Sequence, residues 1–175
     1  ASKAYDGTAL TKPEVTVGGD GFVDGEVEGI KAIGTITNVG GPVANPIEYT
    51  GVEGKFNAGN YKIQKQEGTL TITKAGSLGL TVEGAERKYN GEPLSAAKVE
   101  ASVTEGTTIS YSTDDGSTWT AEAPSITKAG TLNVKVKAEN PNYETVEEAY
   151  KLKVTKRKVT LTSETASKAY DGTAL

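Results

Sequence analysis

The chain contains no histidine, no cysteine and no methionine among its 175 residues. Without cysteine there is no disulfide staple and no thiolate zinc site. Without histidine the commonest general base and metal ligand is missing. Aromatic residues are scarce at 6%, and no apolar run approaches the length of a membrane-spanning helix. Long stretches of Leu, Ala, Glu and Lys at helical spacing are absent too. No signal-peptide pattern occurs, which says nothing of segments outside these residues. The net charge of −4 and a pI near 5.0 speak against nucleic acid or an anionic membrane surface as a partner. There is no Gly-x-Ser-x-Gly, no phosphate-binding loop and no dinucleotide fingerprint. Serine, threonine and lysine are plentiful, but no nucleophile and base stand in a recognisable arrangement. The chain reads as a non-enzyme with no cofactor and no metal.

What it does contain is a repeat. Ala1 to Leu10 (ASKAYDGTAL) returns letter for letter as Ala166 to Leu175, 165 residues later. Such a match marks a window from a longer array, opening and closing at the same point of the repeating unit. A weaker repeat lies inside it. Tyr5-Asp6-Gly7-Thr8-Ala9-Leu10 aligns with Tyr89-Asn90-Gly91-Glu92-Pro93-Leu94. Ile36 to Gly40 then corresponds to Ile126 to Gly130, Asn60-Tyr61 to Asn142-Tyr143, and Leu70 to Lys74 to Leu152 to Lys156. The expected organisation is a first domain over 1–74, a second over 75–156, and the opening of a third over 157–175. Each full domain has about 80 residues, enough for one modest core.

Glycine is abundant at 21 residues, threonine is enriched, and the apolar residues alternate. Leu132, Val134, Val136 and Ala138 alternate with Thr131, Asn133, Lys135 and Lys137, a period of two with one face buried. The same alternation runs through Leu70/Ile72, Leu78/Leu80/Val82, Val99/Ala101/Val103 and Leu152/Val154. Ile109 to Thr113, Asp114 to Ser117 and Thr118-Trp119 predict a hairpin, because Asp-Gly favours the positive φ of a tight reversal. Asn45-Pro46 and Asn140-Pro141 mark turns. Ser95 to Lys98 is the only plausible helical turn. About seven short strands per domain, with turn signals roughly every 8–12 residues, predict an all-β chain of two tandem immunoglobulin-like β-sandwiches. A β-grasp is the alternative, with no helix of two turns to grasp, and pattern alone does not separate barrel closure from either. Val159 and Leu161 stand before the third Tyr-x-Gly motif as Leu78 and Leu80 stand before the second. The first domain is therefore expected to lack its own first strand, and the 157–175 tail is expected to carry a copy of it that can exchange head to tail with another chain.

The Tyr-[Asp/Asn]-Gly-x-x-Leu motif reads as a turn: Asp or Asn with Gly makes the positive-φ corner, Tyr anchors it and Leu re-enters the core. Asp20, Asp24, Glu26 and Glu28 lack the spacing of a calcium loop and read as a solvated edge. Asp114-Asp115 reads as a turn. Trp119, the only tryptophan, and Tyr111 across the expected hairpin are the candidate ligand-binding residues. Exposed aromatic faces stack on sugar rings, whereas cross-strand packing buries them.

Lys3 to Leu10, with Asn57-Ala58-Gly59-Asn60-Tyr61 and Gly68 to Lys74 downstream, resembles the YDG and MBG repeats of large bacterial surface proteins. The second domain keeps Tyr89-Asn90-Gly91 and Asn142-Tyr143, and its Tyr111 to Trp119 stretch is similar to bacterial immunoglobulin-like domains. The resemblance implies an adhesin-like protein of the cell surface, cell wall or extracellular space, with no catalytic residues. Its expected role is a stalk or spacer whose partners are neighbouring repeats. The alternative is a carbohydrate- or host-glycoprotein-binding module that gains avidity by copy number. Some Gram-positive surface domains also crosslink a buried Lys to Asn; Lys74 and Lys156 hold equivalent strand ends, but their neighbours select no partner.

Overall fold

The computed structural model describes all 175 residues. It is all-β, with fifteen strands and a single 3-10 turn at Ala58–Asn60. The first seven are β1 (Ser2–Ala4), β2 (Leu10–Thr11), β3 (Val27–Ala32), β4 (Thr35–Ile36), β5 (Gly40–Asn45), β6 (Ile47–Gly51) and β7 (Gly68–Thr73). The other eight are β8 (Ala75–Ser77), β9 (Leu80–Glu83), β10 (Ala85–Lys88), β11 (Lys98–Ala101), β12 (Thr108–Ser112), β13 (Gly130–Glu139), β14 (Tyr143–Glu144) and β15 (Val146–Thr155). Each ladder joins two strands of the first group or two of the second, and none joins the groups.

The second group is built on its longest pair. Along β13 the residues Val134, Val136 and Ala138 are buried while their neighbours face outward, the pleat placing every second side chain on one face. Antiparallel β15 sets Leu152 opposite Leu132 and Tyr150 opposite Val134, so the apolar faces coincide. Parallel β10 and antiparallel β12 extend this sheet to the order β10-β15-β13-β12. The β9–β11 pair covers it: Leu80, Val82 and Val99 pack on the cluster of Leu94, Val134, Val136, Tyr150, Leu152 and Val154.

Strands β9 and β10 are one run of chain that changes partner at a single residue, Gly84. A Cβ there would lie 2.1 Å from the Lys151 carbonyl oxygen. Only glycine lets the run cross from β11 to β15.

The first group repeats part of this plan. Its sheet has the order β1-β7-β5, again with the opening strand parallel to the closing one. Tyr5 N–H donates to Thr73 O at 2.9 Å, and Tyr89 N–H to Thr155 O at the same distance. Leu10 pairs with Ile36 as Leu94 pairs with Ile126. Gly40 and Gly130 open β5 and β13 opposite Ile72 and Val154. The coverage differs. Of fifteen buried residues, the first group holds only Ala32, Asn45, Leu70 and Ile72.

Two expectations need correction. Ser95 to Lys98 forms no helical turn, because Ala97 N–H donates to Glu83 O at 2.9 Å and draws the segment beside β9. The hairpin at Asp114 to Ser117 is barely paired: its returning arm meets β12 only at the Tyr111–Thr120 bridge, while the long ladder of β12 runs with β13.

Candidate functional site

The feature with the most specific chemistry is the contact between the two groups of strands. It starts with Asn140, whose buried side chain ends β13. Its amide donates to Glu105 O at 3.0 Å and to Thr107 Oγ1 at 2.9 Å, and its Oδ1 accepts from Asn142 N–H at 3.0 Å. With Pro141 following, this holds the turn in one shape. The turn presents Asn142 to the first group. Within its own group Asn142 O accepts from Ala75 N–H at 3.0 Å, and across the contact its Oδ1 accepts from Val39 N–H at 3.0 Å. Its Nδ2 donates to Asn38 Oδ1 at 3.4 Å. Beside it Tyr143 pairs with Ala75, and its ring meets that of Tyr5 edge-on. One residue, Lys74, separates β7 from β8.

Tyr5 is positioned by its own corner. Gly7 and Gly91 take φ of 80° and 92°, which L side chains rarely adopt. Asp6 Oδ1 accepts from Thr8 N–H at 2.9 Å, and Asn90 Oδ1 accepts from Glu92 N–H at 3.1 Å, the local Asx hydrogen bond expected of these residues. Lys3 Nζ lies 2.7 Å from Asp6 Oδ1, and together with Thr8 it holds the Asp6 carboxyl far below the usual carboxylate range. The last ten residues repeat this corner without a sheet: Lys168 lies 2.8 Å from Asp171, whose Oδ1 accepts from Thr173 N–H at 3.0 Å, while Tyr170 is 96% exposed.

Tyr111 and Trp119 lie on the same hairpin, both half-buried. Tyr111 packs against the core of the second group, and desolvation pushes its hydroxyl pKa up. Trp119 has the Lys137 ammonium 4.8 Å from its ring centroid. The two rings do not pair with each other; the close aromatic pairs lie elsewhere. The turn below them uses its polar groups internally. Ser112 Oγ donates to Asp114 Oδ1 at 2.7 Å and accepts from Gly116 N–H at 2.8 Å. Thr118 donates to Asp114 through its N–H at 2.9 Å and its hydroxyl at 2.6 Å, and Asp115 pairs with Lys135 at 2.8 Å. A depression of about 510 Å³ lies here, lined by Ser112, Asp114, Asn133, Lys135, Tyr150 and Lys151. Its serine and carboxylates are thus already engaged in holding the turn.

The acidic stretch disperses. Glu26 accepts from the Tyr61 hydroxyl at 2.6 Å, and no three carboxylates converge on a cation position. Lys74 and Lys156 are both exposed at strand ends, outside the buried setting a Lys–Asn crosslink needs.

Sequence reasoning missed an aromatic cluster in the first group. Phe22, Tyr49, Phe56 and Tyr61 meet with centroids 5.2–6.2 Å apart, Phe56 and Tyr61 stacked and the others tilted or edge-on. All four are half-buried, and Lys65 caps Tyr49 at 5.2 Å. The one available signal is that both phenylalanines of the chain lie in this stretch.

Compared with protein-family models, with curated proteins and with solved structures, the chain matches none.

Proposed function

We propose that the chain is a load-bearing segment of a repetitive bacterial surface protein of the YDG/MBG kind: an extracellular stalk that holds an adhesive or enzymatic head away from the cell wall. The observation that carries this is the junction. A one-residue spacer, two hydrogen bonds from the first unit to Asn142 and the Tyr5–Tyr143 contact leave little slack between successive units. A flexible linker would need a run of glycine and serine there.

Each unit is read as an immunoglobulin-like sandwich. In the second, an opening strand split between two sheets and a closing antiparallel pair agree with that plan. A ten-residue strand such as β15 spans about 30 Å, so each unit adds roughly that length. Tension along an array enters a unit at its opening strand and leaves by its closing strand. These lie side by side and parallel, β1 on β7 and β10 on β15. Pulling therefore shears all the hydrogen bonds of the ladder at once instead of opening them one by one.

The alternative, a glycan- or glycoprotein-binding module, needs an open aromatic face. Lys137 occupies that of Trp119, and Tyr111 serves the core.

Single-molecule stretching of tandem copies tests the stalk. The expected record is a regular sawtooth with two unfolding events per 175-residue copy and full recovery on relaxation. Extension at low force without discrete events would refute it, and so would turnover of a substrate by the isolated chain.

A further inference from the structure

The corner motif stands in both units, and the two copies differ by one charge. In the first, Lys3 Nζ lies 2.7 Å from Asp6 Oδ1 and donates to Thr8 Oγ1 at 2.6 Å. Aligned from Tyr5 on Tyr89, Lys3 corresponds to Arg87, Asp6 to Asn90 and Thr8 to Glu92. The guanidinium reaches over its corner as the ammonium does, since Arg87 Nη2 donates to Glu92 O. It finds no carboxylate there: Arg87 enters no ion pair, and its Nε is buried without a hydrogen-bond partner. Arg87 shares a face of β10 with Ala85, which packs on the core, and that placement takes the Nε out of water. A buried donor of a charged group left unpaired is costly. An aspartate at position 90 would supply the missing acceptor, as Asp6 does for Lys3.

Asn90 is also the one asparagine of the chain that is followed by glycine. Asparagine amides are thermolabile, and they are lost through attack by the backbone nitrogen of the next residue. The corner leaves that attack open. Gly91 has no side chain to shield its nitrogen, its N–H makes no hydrogen bond, and both residues are exposed. The one restraint on the Asn90 side chain is the hydrogen bond that its Oδ1 accepts from Glu92 N–H at 3.1 Å.

We propose that Asn90 is a self-processing site: it deamidates without an enzyme, and the resulting aspartate closes on Arg87 as Asp6 closes on Lys3. Gly91 N bonds to Asn90 Cγ, the Cγ–Nδ2 bond breaks, and ammonia leaves with the proton from Gly91 N. Water then adds to Cγ of the succinimide, the N–Cγ bond breaks, and a proton returns to Gly91 N. One water enters for each ammonia lost. Addition of water at the main-chain carbonyl carbon gives isoaspartate instead, with an extra methylene in the backbone between Tyr89 and Gly91. Tyr89 N–H is held by Thr155 O and Leu94 pairs with Ile126, so the corner has a set span that the longer link does not fit. The folded chain therefore favours aspartate. The net charge of −4 becomes one unit more negative, and the second corner gains the ion pair of the first. This goes beyond the stalk reading and does not depend on it.

Two measurements on the full chain decide it. The first is peptide mapping by mass spectrometry during storage at mildly alkaline pH. Position 90 is expected to lose its amide about tenfold faster than any of the other seven asparagines. Aspartate is expected to be the main product in the folded chain, with isoaspartate gaining share in denaturant. The second is NMR titration of the carboxyl at position 90 in Asn90→Asp. Its midpoint is expected below the ordinary 3.8, and back toward that value in Asn90→Asp/Arg87→Gln. Loss at position 90 no faster than elsewhere, isoaspartate as the main product of the folded chain, or a midpoint unmoved by Arg87→Gln would each overturn the proposal.

Discussion

The ring of Tyr5 meets the ring of Tyr143 edge-on, with centroids 5.6 Å apart and planes inclined by 77°. One ring belongs to the corner motif and the other to the turn that Asn140 holds, so the pair couples two elements with no ladder between them. Replacing either tyrosine by leucine keeps apolar area and removes the ring geometry. A double-mutant cycle over Tyr5→Leu and Tyr143→Leu is expected to give a coupling of about 0.5–1.5 kcal/mol, the usual worth of such a pair. Denaturation followed by fluorescence measures it, and a coupling near zero means the rings touch without joining the units.

Gly84→Ala is expected to destabilise the second unit alone. The added methyl meets the backbone of Lys151, at 2.1 Å from its carbonyl oxygen and 3.0 Å from its nitrogen, so no flexible side chain can yield. Overpacking of this kind costs about 1–3 kcal/mol. Calorimetry should show the second unit melting lower and the first unmoved.

Unequal burial predicts two melting transitions. The first unit holds four of the fifteen buried residues, and with less apolar cover it unfolds first. Leu70→Ala and Leu152→Ala each empty a fully buried site, at about 2–5 kcal/mol. Leu70→Ala is expected to shift the lower transition and Leu152→Ala the upper one. A single transition moved equally by both would contradict this.

The Asp114 carboxyl is drawn from an ordinary 3.8 to about 2, chiefly by the Thr118 hydroxyl and N–H and then by Ser112. A depressed pKa favours the folded turn above the ordinary value, and that contribution fades as pH falls through the folded one. The turn should therefore stay closed to about pH 2. NMR titration of the Asp114 carboxyl carbon reads this directly. In Thr118→Val, which keeps the shape and loses the hydroxyl, the midpoint is expected to rise.

The long strands were legible because their chemistry is local. Val134, Val136 and Ala138 alternate with polar residues whatever lies opposite, and Leu152 and Val154 do the same. The junction was not legible. Asn142 acts through Val39, 103 residues away in sequence, and nothing around an Asn-Tyr pair foretells that partner. Ser95 to Lys98 failed for a related reason: a weak local preference for a helical turn gave way to the backbone of Glu83. The aromatic cluster was hidden because Phe22, Tyr49, Phe56 and Tyr61 share no period. Tyr111 and Trp119 flank one turn, but the residue opposite Tyr111 is Thr120, and the two ring faces are set by the core and by Lys137, which no spacing on the turn specifies.

The corner at Lys168, Asp171 and Thr173 closes with no strand beside it. The bend thus draws its hydrogen bonds from a handful of consecutive residues, so its shape is a property of that short stretch and not of the sheet that adjoins its twin at Lys3, Asp6 and Thr8.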